Sequence, residues 1–336
     1  MTSAYASGLA HAARATPKLA TDAVIQALDR LGRTRAARVL LFLSADFASD
    51  PRPALIAAAR AAQTMDVAGC TALGVLNEDD WVLDAPSACA LLIAESSSLD
   101  NQESERLTLA APHTLDMSWL KKGPARYGGI AGDATGLGPY KVWQQGQIQN
   151  DGLCELPLPT HRIGISRGMQ PMGEVHVITS VEGFDLQTLD GRLAIATLRR
   201  LVGNLPPLHD LALAVLDSDN QPRQILSLVS VNVDSGVTVP SQLSPGDRVQ
   251  WLQRSADYAI TEIADFARLP APQAALLFSC ASRGAALHGG LDREWQTLRD
   301  AWPSTPMAGF YGNGQIAHFG GSNQVLHQSL VMAALG

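Results

Sequence analysis

The sequence is poor in charged and aromatic residues. Charged residues make up 17% and aromatic residues 5% of the 336 residues, and the formal net charge is −7. Lys and Arg nowhere form a cluster of even four residues, so a nucleic-acid-binding surface is not expected. No apolar run approaches the roughly 20 residues that a membrane-spanning helix needs. No cleavable hydrophobic leader is evident either, and we expect no membrane association.

Cysteine is also scarce, and its spacing suggests no special chemistry. Cys70, Cys89, Cys154 and Cys280 show neither CxxC spacing nor a dense framework. The eight histidines include no pair at a helical metal-ligand spacing. A metal site assembled from distant segments stays open, but we predict no metal and no cofactor. There is no N-x-S/T sequon, and these absences favour a reduced, soluble, cytoplasmic protein.

What the chain has in plenty is apolar material for packed cores. Hydrophobic residues make up 46% of the sequence, and the length suggests about two domains. A change in composition at residues 157–168 places the predicted boundary between 1–165 and 166–336. Strands are joined by hairpins and helices in mixed order. This order favours an α+β fold, with mainly antiparallel mixed sheets and packed helices, over a doubly wound sheet.

The N-terminal third illustrates the predicted elements. Residues 1–20 are rich in alanine and predict a short amphipathic helix. A second helix is predicted over Asp22–Leu31, with Gly32 closing it. Arg38–Ser44 is almost continuously apolar, which indicates a strand that is covered on both faces.

Two stretches share the same order of elements, which indicates an internal repeat. Residues 38–95 and 274–335 both read as a strand, a helix and further strands. Val67-Ala68-Gly69-Cys70 in the first stretch corresponds to Met307-Ala308-Gly309-Phe310 in the second. A weaker copy occurs at 126–133. The repeated strand-helix-strand-strand units predict a layered arrangement in two modules.

A glycine-rich run at 312–317 matches the loose G-x-G-x-x-A dinucleotide fingerprint. That fingerprint requires a following helix, and no helix start follows here. The Asn313-Gly314 pair instead predicts a tight turn between a strand and a returning strand.

Three glycines lie inside predicted strands, where glycine usually weakens the element. Gly69, Gly129 and Gly309 allow two explanations: a closely packed second layer, or a backbone left open to a ligand. The second explanation places main-chain polar groups beside Arg283 and Tyr311. Such a pocket would suit a small zwitterion or acid.

Cys280 ends a predicted strand, and Arg283 follows three residues later. A neighbouring guanidinium favours the thiolate form and would make Cys280 a nucleophile. The alternative is a small, half-buried thiol at a crowded strand end. No general base accompanies it in sequence, so no catalytic triad is predicted.

These residues carry a family resemblance that covers nearly the whole chain. The segments are Gly69-Cys70-Thr71-Ala72-Leu73-Gly74, Gly128-Gly129, Ser279-Cys280-Ala281-Ser282-Arg283-Gly284 and Gly309-Phe310-Tyr311-Gly312-Asn313-Gly314-Gln315-Ile316. In these segments the chain resembles the FIST family, named for F-box and intracellular signal transduction. Gln315 stands where the family usually carries Glu, which removes a possible anionic contact. The resemblance implies N-terminal and C-terminal FIST modules in a stand-alone sensory protein.

The resemblance implies binding of a small molecule, such as an amino acid or a related small acid, and a signalling protein as a further partner. We therefore predict a cytoplasmic, non-catalytic sensor in signal transduction. The predicted ligand-binding residues are Gly69, Cys70, Thr71, Gly129, Cys280, Arg283, Gly309, Phe310, Tyr311 and Gln315. Arg283 would bind a carboxylate, Tyr311 would offer a hydroxyl and Phe310 an apolar contact. Two alternatives stay open: an enzyme that uses Cys280 as its nucleophile, and a protein-interaction scaffold.

Overall fold

The computed structural model describes residues 4–94, 105–158, 160–232 and 236–336. The helices of the described residues are α1 (Pro17–Leu31), α2 (Arg52–Ala62), α3 (Met117–Leu120), α4 (Ala194–Val202), α5 (Ala256–Ala267) and α6 (Arg293–Ala301). Within the described part of the chain, no helix is both long enough and apolar enough to cross a membrane.

Strands dominate the chain. The first group is β1 (Tyr5–His11), β2 (Arg38–Ser44), β3 (Val67–Ala72), β4 (Gly74–Asn77), β5 (Trp81–Val82), β6 (Ser87–Ile93), β7 (Arg106–Ala110), β8 (Arg126–Ile130), β9 (Val142–Gln144), β10 (Gln147–Ile148), β11 (Leu153–Pro157) and β12 (Thr160–Ser166). The second group is β13 (Met169–Glu182), β14 (Asp185–Leu189), β15 (Arg192–Leu193), β16 (Leu211–Leu216), β17 (Pro222–Ser227), β18 (Ser230–Asn232), β19 (Gly236–Thr238) and β20 (Arg248–Arg254). The last group is β21 (Ala274–Cys280), β22 (Met307–Gly312), β23 (Gly314–Phe319), β24 (Ser322–Leu326) and β25 (Leu330–Leu335).

The described chain divides into two compact units. The first contains the described residues up to Arg167 together with 260–318 and 322–336, and the second contains 168–259 and 319–321. The predicted boundary after residue 165 lies close to the point where the chain enters the second unit. From residue 260 onwards most of the chain belongs to the first unit, and the division into 1–165 and 166–336 stays a prediction.

Three sheets build the first unit. Their strand orders are β1-β6-β2-β3-β9-β10, β11-β7-β8-β23-β24 and β12-β25-β21-β22-β4-β5. Most neighbouring strands are antiparallel, but β2 with β3, β7 with β8, and β21 with β22 are parallel. The predicted α+β class with mixed, mainly antiparallel sheets is therefore confirmed.

One pairing pattern occurs in two of these sheets. Strand β2 lies parallel to β3 and antiparallel to β6, and β21 lies parallel to β22 and antiparallel to β25. The registers also agree, because Leu41 is paired with Gly69 and Leu277 with Gly309. An apolar strand followed by a helix and a parallel strand thus gives the same local arrangement twice.

An aromatic cluster fills the interior of the first unit. The Phe42 and Phe310 ring centroids are 5.1 Å apart, and those of Phe278 and Phe310 are 5.4 Å apart. All three rings are fully buried. Tilted and edge-on arrangements at these distances are the favoured geometries of aromatic pairs, so the centre of this unit is closely packed.

Two element predictions were wrong. The alanine-rich N-terminus forms strand β1 before α1 begins at Pro17, so helix propensity misled the prediction. A Cβ atom at Gly8 would lie 2.1 Å from the Ala23 carbonyl oxygen, so glycine is what lets α1 pack closely on β1. Strands β22 and β23 are not a hairpin: β22 pairs with β4 and β23 pairs with β8, in different sheets.

The second unit contains one sheet, in the order β17-β16-β20-β13-β14-β19-β18, with β15 beside β14. Helix α4 packs its buried residues Ile195 and Leu198 into an apolar core that also contains Trp251. Strand β13 is irregular in this sheet. Its pairing with β20 shifts between Met172 and His176, and this bulge shapes the surface described below.

Candidate functional site

At the glycines predicted within strands, neighbouring atoms fill the space that a side chain would occupy. A Cβ atom at Gly69 would lie 1.7 Å from the Leu41 carbonyl oxygen, and one at Gly309 would lie 2.0 Å from the Leu277 carbonyl oxygen. In the third parallel pair the equivalent residue is Gly128, where a Cβ atom would lie 2.0 Å from the Thr108 carbonyl oxygen. The absence of a side chain at these positions is therefore explained by the close approach of paired strands.

Gly129 and Gln315 lie opposite each other at the aromatic cluster. They are paired in register between β8 and β23, and a Cβ atom at Gly129 would lie 2.7 Å from Cζ of Phe310. Gln315 is fully buried, and neither of its side-chain polar atoms has a hydrogen-bond partner among the described residues. The structure brings Gly129, Phe310 and Gln315 together in the interior rather than at an open surface.

Cys70 and Thr71 are fully buried on β3. Burial, with the nearby Cys154 thiol, raises the pKa of Cys70 well above its ordinary value, so the thiol stays protonated. The Thr71 hydroxyl accepts a hydrogen bond from the Lys141 backbone N–H at 3.0 Å. These contacts hold the segment after β8 against β3.

Arg283 is also buried, and its guanidinium is saturated by internal acceptors. Nε and Nη2 lie 2.8 and 2.7 Å from Oε1 of Glu294, and Nη2 also donates to Oγ of Ser166 at 2.8 Å. Nη1 donates to the carbonyl oxygens of Ser166 and Gln328 at 3.4 and 3.2 Å. Four hydrogen bonds and the ion pair with Glu294 therefore engage all three nitrogens of the side chain within the first unit. This geometry commits Arg283 to internal partners rather than to a ligand carboxylate.

The partners of Arg283 belong to a buried polar network that the sequence did not reveal. Nε2 of His288 lies 3.2 Å from Oε1 of Glu294. Burial opposes ionisation of Glu294, but the hydrogen bond from His288 and the charge of Arg283 lower its pKa. The Tyr311 hydroxyl donates to Oδ2 of Asp292, and burial raises the pKa of Asp292. The polar group expected of Tyr311 is therefore used internally.

Cys280 closes the same strand end. Its residue is 8% exposed, and its Sγ accepts a hydrogen bond from Oγ of Ser282 at 3.3 Å. Cys280, Arg283 and Tyr311 thus lie at one end of the β21–β22 pair, whereas Gly69, Cys70 and Thr71 lie on β3 in another sheet. A ligand role for these residues stays a prediction.

The second unit contains a cavity of about 490 Å³. Its wall is made by the bulge of β13, the turn after β14 and one side of α4. The lining residues are Gly173, Glu174, His176, Leu189, Asp190, Arg192, Thr197, Arg200 and Leu201. A volume of this size is typical of small-ligand sites.

The bulge in β13 opens one wall of this cavity. The step of four positions from Met172 to His176 on β13 lies opposite the step of only two positions from Trp251 to Val249 on β20. Gly173 has φ of +63°, a conformation that favours glycine, and its carbonyl oxygen accepts a hydrogen bond from Nε2 of Gln250 at 2.9 Å. Bulges often redirect side chains beside binding sites.

His176 and Thr197 are the buried polar residues of the cavity lining. Nδ1 of His176 lies 2.7 Å from Oδ2 of Asp190, whose Oδ1 accepts the Val177 backbone N–H at 2.9 Å. The Val177 and His176 hydrogen bonds lower the pKa of Asp190, so the group is a carboxylate. A carboxylate partner fixes the proton on Nδ1, which leaves Nε2 available as the second polar atom of the ring.

Charged side chains of both signs complete the lining. Arg192 and Arg200 are exposed, and the described residues supply neither of them with an ion pair within 4 Å. Glu174 supplies a carboxylate on the bulge. Within the described residues there is no group of three or more His, Cys, Asp and Glu side chains that could hold a metal ion.

Two domains of one protein family match successive parts of this chain. The FIST N domain matches residues 37–192, and the FIST C domain matches residues 194–318. The chain belongs to the FIST family. FIST domains are generally sensory domains of signal transduction. The cavity of the second unit is lined by the last residues of the FIST N match, 173–192, and the first residues of the FIST C match, 197–201.

Mycobacterial relatives match 62–68% of this chain. Uncharacterized protein Mb0898c of Mycobacterium bovis and Uncharacterized protein MT0897 of Mycobacterium tuberculosis are each 26% identical to this FIST protein over 257 residues. The match covers 68% of this chain and 66% of each relative, just under two thirds of their length. Uncharacterized protein Rv0628c of Mycobacterium tuberculosis is 26% identical over 242 residues, 62% of this chain and 60% of its own.

Proposed function

We propose that this FIST protein is a non-catalytic sensor that binds a small molecule in the cavity of its second unit. The observation that carries the proposal is the cavity itself, in which a buried histidine and exposed arginines face the same space. The internal contacts of the ligand-binding residues predicted from the sequence also favour the cavity of the second unit as the site. Arg283 and Tyr311 are engaged in internal contacts, so their polar groups stabilise the fold instead.

The ligand class implied by the resemblance, an amino acid or a related small acid, belongs to this proposal. The arginines of the cavity suit the carboxylate of such a ligand, and Glu174 suits an ammonium group. A signalling protein as the partner and a cytoplasmic location also remain our predictions. In this account the sensor responds when the bound molecule stabilises the cavity walls, which come from β13, β14 and α4.

A thermal-shift screen of the full chain tests the proposal. The compounds are amino acids, keto acids, sugar phosphates, nucleosides and amines, and we expect at least one to raise the melting temperature. Leu201→Phe narrows the cavity without changing charge, so this variant should lose the response. Leu269→Phe is the matched control, because Leu269 is an exposed leucine of the first unit that does not line the cavity.

The proposal fails if no compound stabilises the protein. It also fails if Leu201→Phe and Leu269→Phe respond to a stabilising compound as strongly as the unmodified chain does.

A further inference from the structure

The charges of the cavity in the second unit point to a particular ligand group. Arg192 and Arg200 contribute two guanidinium groups, and His176 contributes Nε2. A guanidinium fork matches a carboxylate or a phosphate. A carboxylate can be satisfied by one such fork, whereas a phosphate monoester has three terminal oxygens and carries close to two negative charges near neutral pH.

We propose that the cavity binds the phosphate group of a small phosphate monoester through Arg192, Arg200 and His176. This inference rests on the proposed function, binding of a small molecule in this cavity, and it assigns the anionic group of that molecule as a phosphate in place of the carboxylate of an amino acid or small acid. The two guanidinium groups match the double charge of the phosphate. The remainder of the ligand occupies the rest of the cavity, where Leu189 and Leu201 offer apolar contacts.

His176 completes the recognition of the phosphate. Asp190 holds the Nδ1 proton, so Nε2 is the ring nitrogen left to contact the ligand. Nε2 accepts a hydrogen bond from the P–OH group of the ester monoanion, or binding of the dianion takes up one proton from the solvent to lie between Nε2 and a phosphate oxygen.

The acidic residues of the cavity set a limit on this attraction. Asp190 is engaged by His176 and by the Val177 N–H. Glu174 is exposed on the bulge and opposes an anion. Its removal should therefore strengthen phosphate binding, whereas removal of either arginine should weaken it. Opposite effects on phosphate affinity, from removal of the Glu174 charge and from removal of an arginine charge, would not arise if these residues had only a structural role.

Calorimetric titration of the full chain provides the test. The probes are phenyl phosphate, benzoate and phenol, which share an aromatic ring and differ in the attached group. We expect phenyl phosphate to bind. Benzoate should bind at least about tenfold more weakly, because it loses the charge-assisted hydrogen bonds from the second arginine. Phenol carries no anionic group and should give no signal.

Variants locate the binding in the cavity. Arg200→Met should raise the dissociation constant of phenyl phosphate at least about tenfold, and Glu174→Gln should lower it. Arg199→Met is the matched control, because Arg199 is an exposed neighbour on α4 that does not line the cavity. It removes the same charge and should change the dissociation constant less than about twofold.

Three results would overturn the inference. Phenyl phosphate could fail to bind, benzoate could bind as tightly as phenyl phosphate, or Arg199→Met could weaken binding as much as Arg200→Met. If a neutral, cationic or carboxylate compound from the thermal-shift screen still binds and is lost in Leu201→Phe, the proposed function stands and only the phosphate assignment fails.

Discussion

Single glycine residues allow the parallel strands of the first unit to approach each other. At Gly69, Gly128 and Gly309, a Cβ atom would lie 1.7–2.0 Å from a carbonyl oxygen of the neighbouring strand. No side chain fits at such a distance. Each glycine therefore stabilises the fold because it has no Cβ atom, and no ligand is needed to explain why glycine occupies these positions.

Gly309→Ala should destabilise the protein strongly. The added methyl group meets the Leu277 carbonyl oxygen, which is backbone and cannot move aside without breaking the strand pairing. We expect the free energy of unfolding to fall by at least about 2 kcal/mol, measured by urea denaturation.

Gly314→Ala is the control for this prediction. At Gly314 the nearest atom to a new methyl group is Cδ1 of Ile130, at 3.1 Å, which is the flexible end of a side chain. We expect a change of less than about 1 kcal/mol. Similar effects of the two substitutions would contradict the packing explanation.

Local sequence patterns identified some of these glycines but not all of them. Gly69 and Gly309 stand out because each lies in an apolar strand that follows a helix. In the third pair the prediction chose Gly129, but the residue against the neighbouring carbonyl is Gly128. Either residue of a Gly-Gly pair fits the pattern, and only the register of β7 and β8 distinguishes them. Arg283 was assigned to a ligand because it was expected beside the in-strand glycines. Its internal partners Glu294, Gln328 and Ser166 are 11, 45 and 117 residues away, and no local pattern predicts those contacts.

At the scale of elements, the segment between β21 and α6 is organised by a buried ion pair. Arg283 and Glu294 are eleven residues apart, and their side chains are 0% and 2% exposed. The pair joins the turn after β21 to the first turn of α6. Buried ion pairs are sensitive to loss of one partner, because the remaining charge is left without compensation.

The stability that Glu294 contributes should depend on pH. Its pKa in the folded protein is lowered by His288 and Arg283, against the effect of burial. The contribution is therefore complete above the unfolded-state pKa of about 4.3, and it is lost as the pH falls through the lower folded-state pKa. We expect Glu294→Gln to reduce the free energy of unfolding by about 3 kcal/mol at pH 7.

The difference between Glu294→Gln and the unmodified chain should shrink as the pH falls below 4.3, in urea denaturation at pH 3 to 7. Asp292, whose raised pKa acts with the opposite sign, is present in both proteins. Asp84→Asn, at an exposed carboxylate, is the control and should show a small difference. A difference for Glu294→Gln that does not vary with pH would contradict the account.

Some strands could be predicted from their sequences and others could not. The strand Arg38–Ser44 was predicted with its observed bounds, because a continuous apolar run of that length has few alternatives. Strand β1 was missed, because its alanines favour a helix and its burial depends on α1, which follows it. The crossing of the chain between β22 and β23 into different sheets depends on long-range pairing with β4 and β8.

At the scale of the whole molecule, the two compact units have different contents. The first unit contains the buried glycine, arginine and aromatic positions that carry the family resemblance. The second unit contains the cavity that His176, Arg192 and Arg200 line, and the first unit has clefts of comparable volume with other linings. No local sequence pattern could predict this cavity, because a bulge in β13, a turn after β14 and the side of α4 must meet to form it.

The most direct test of this account is ¹⁹F NMR of the full chain labelled with 5-fluorotryptophan, during titration with phenyl phosphate and with any stabilising compound from the screen. The indole N–H of Trp251 donates to Oγ1 of Thr197 at 3.0 Å, and Thr197 lines the cavity. Trp143 and Trp295 lie in the first unit. We predict that the Trp251 signal shifts while the Trp143 and Trp295 signals stay unchanged. A shift of Trp143 or Trp295 with an unchanged Trp251 would place the ligand in the first unit and contradict the account.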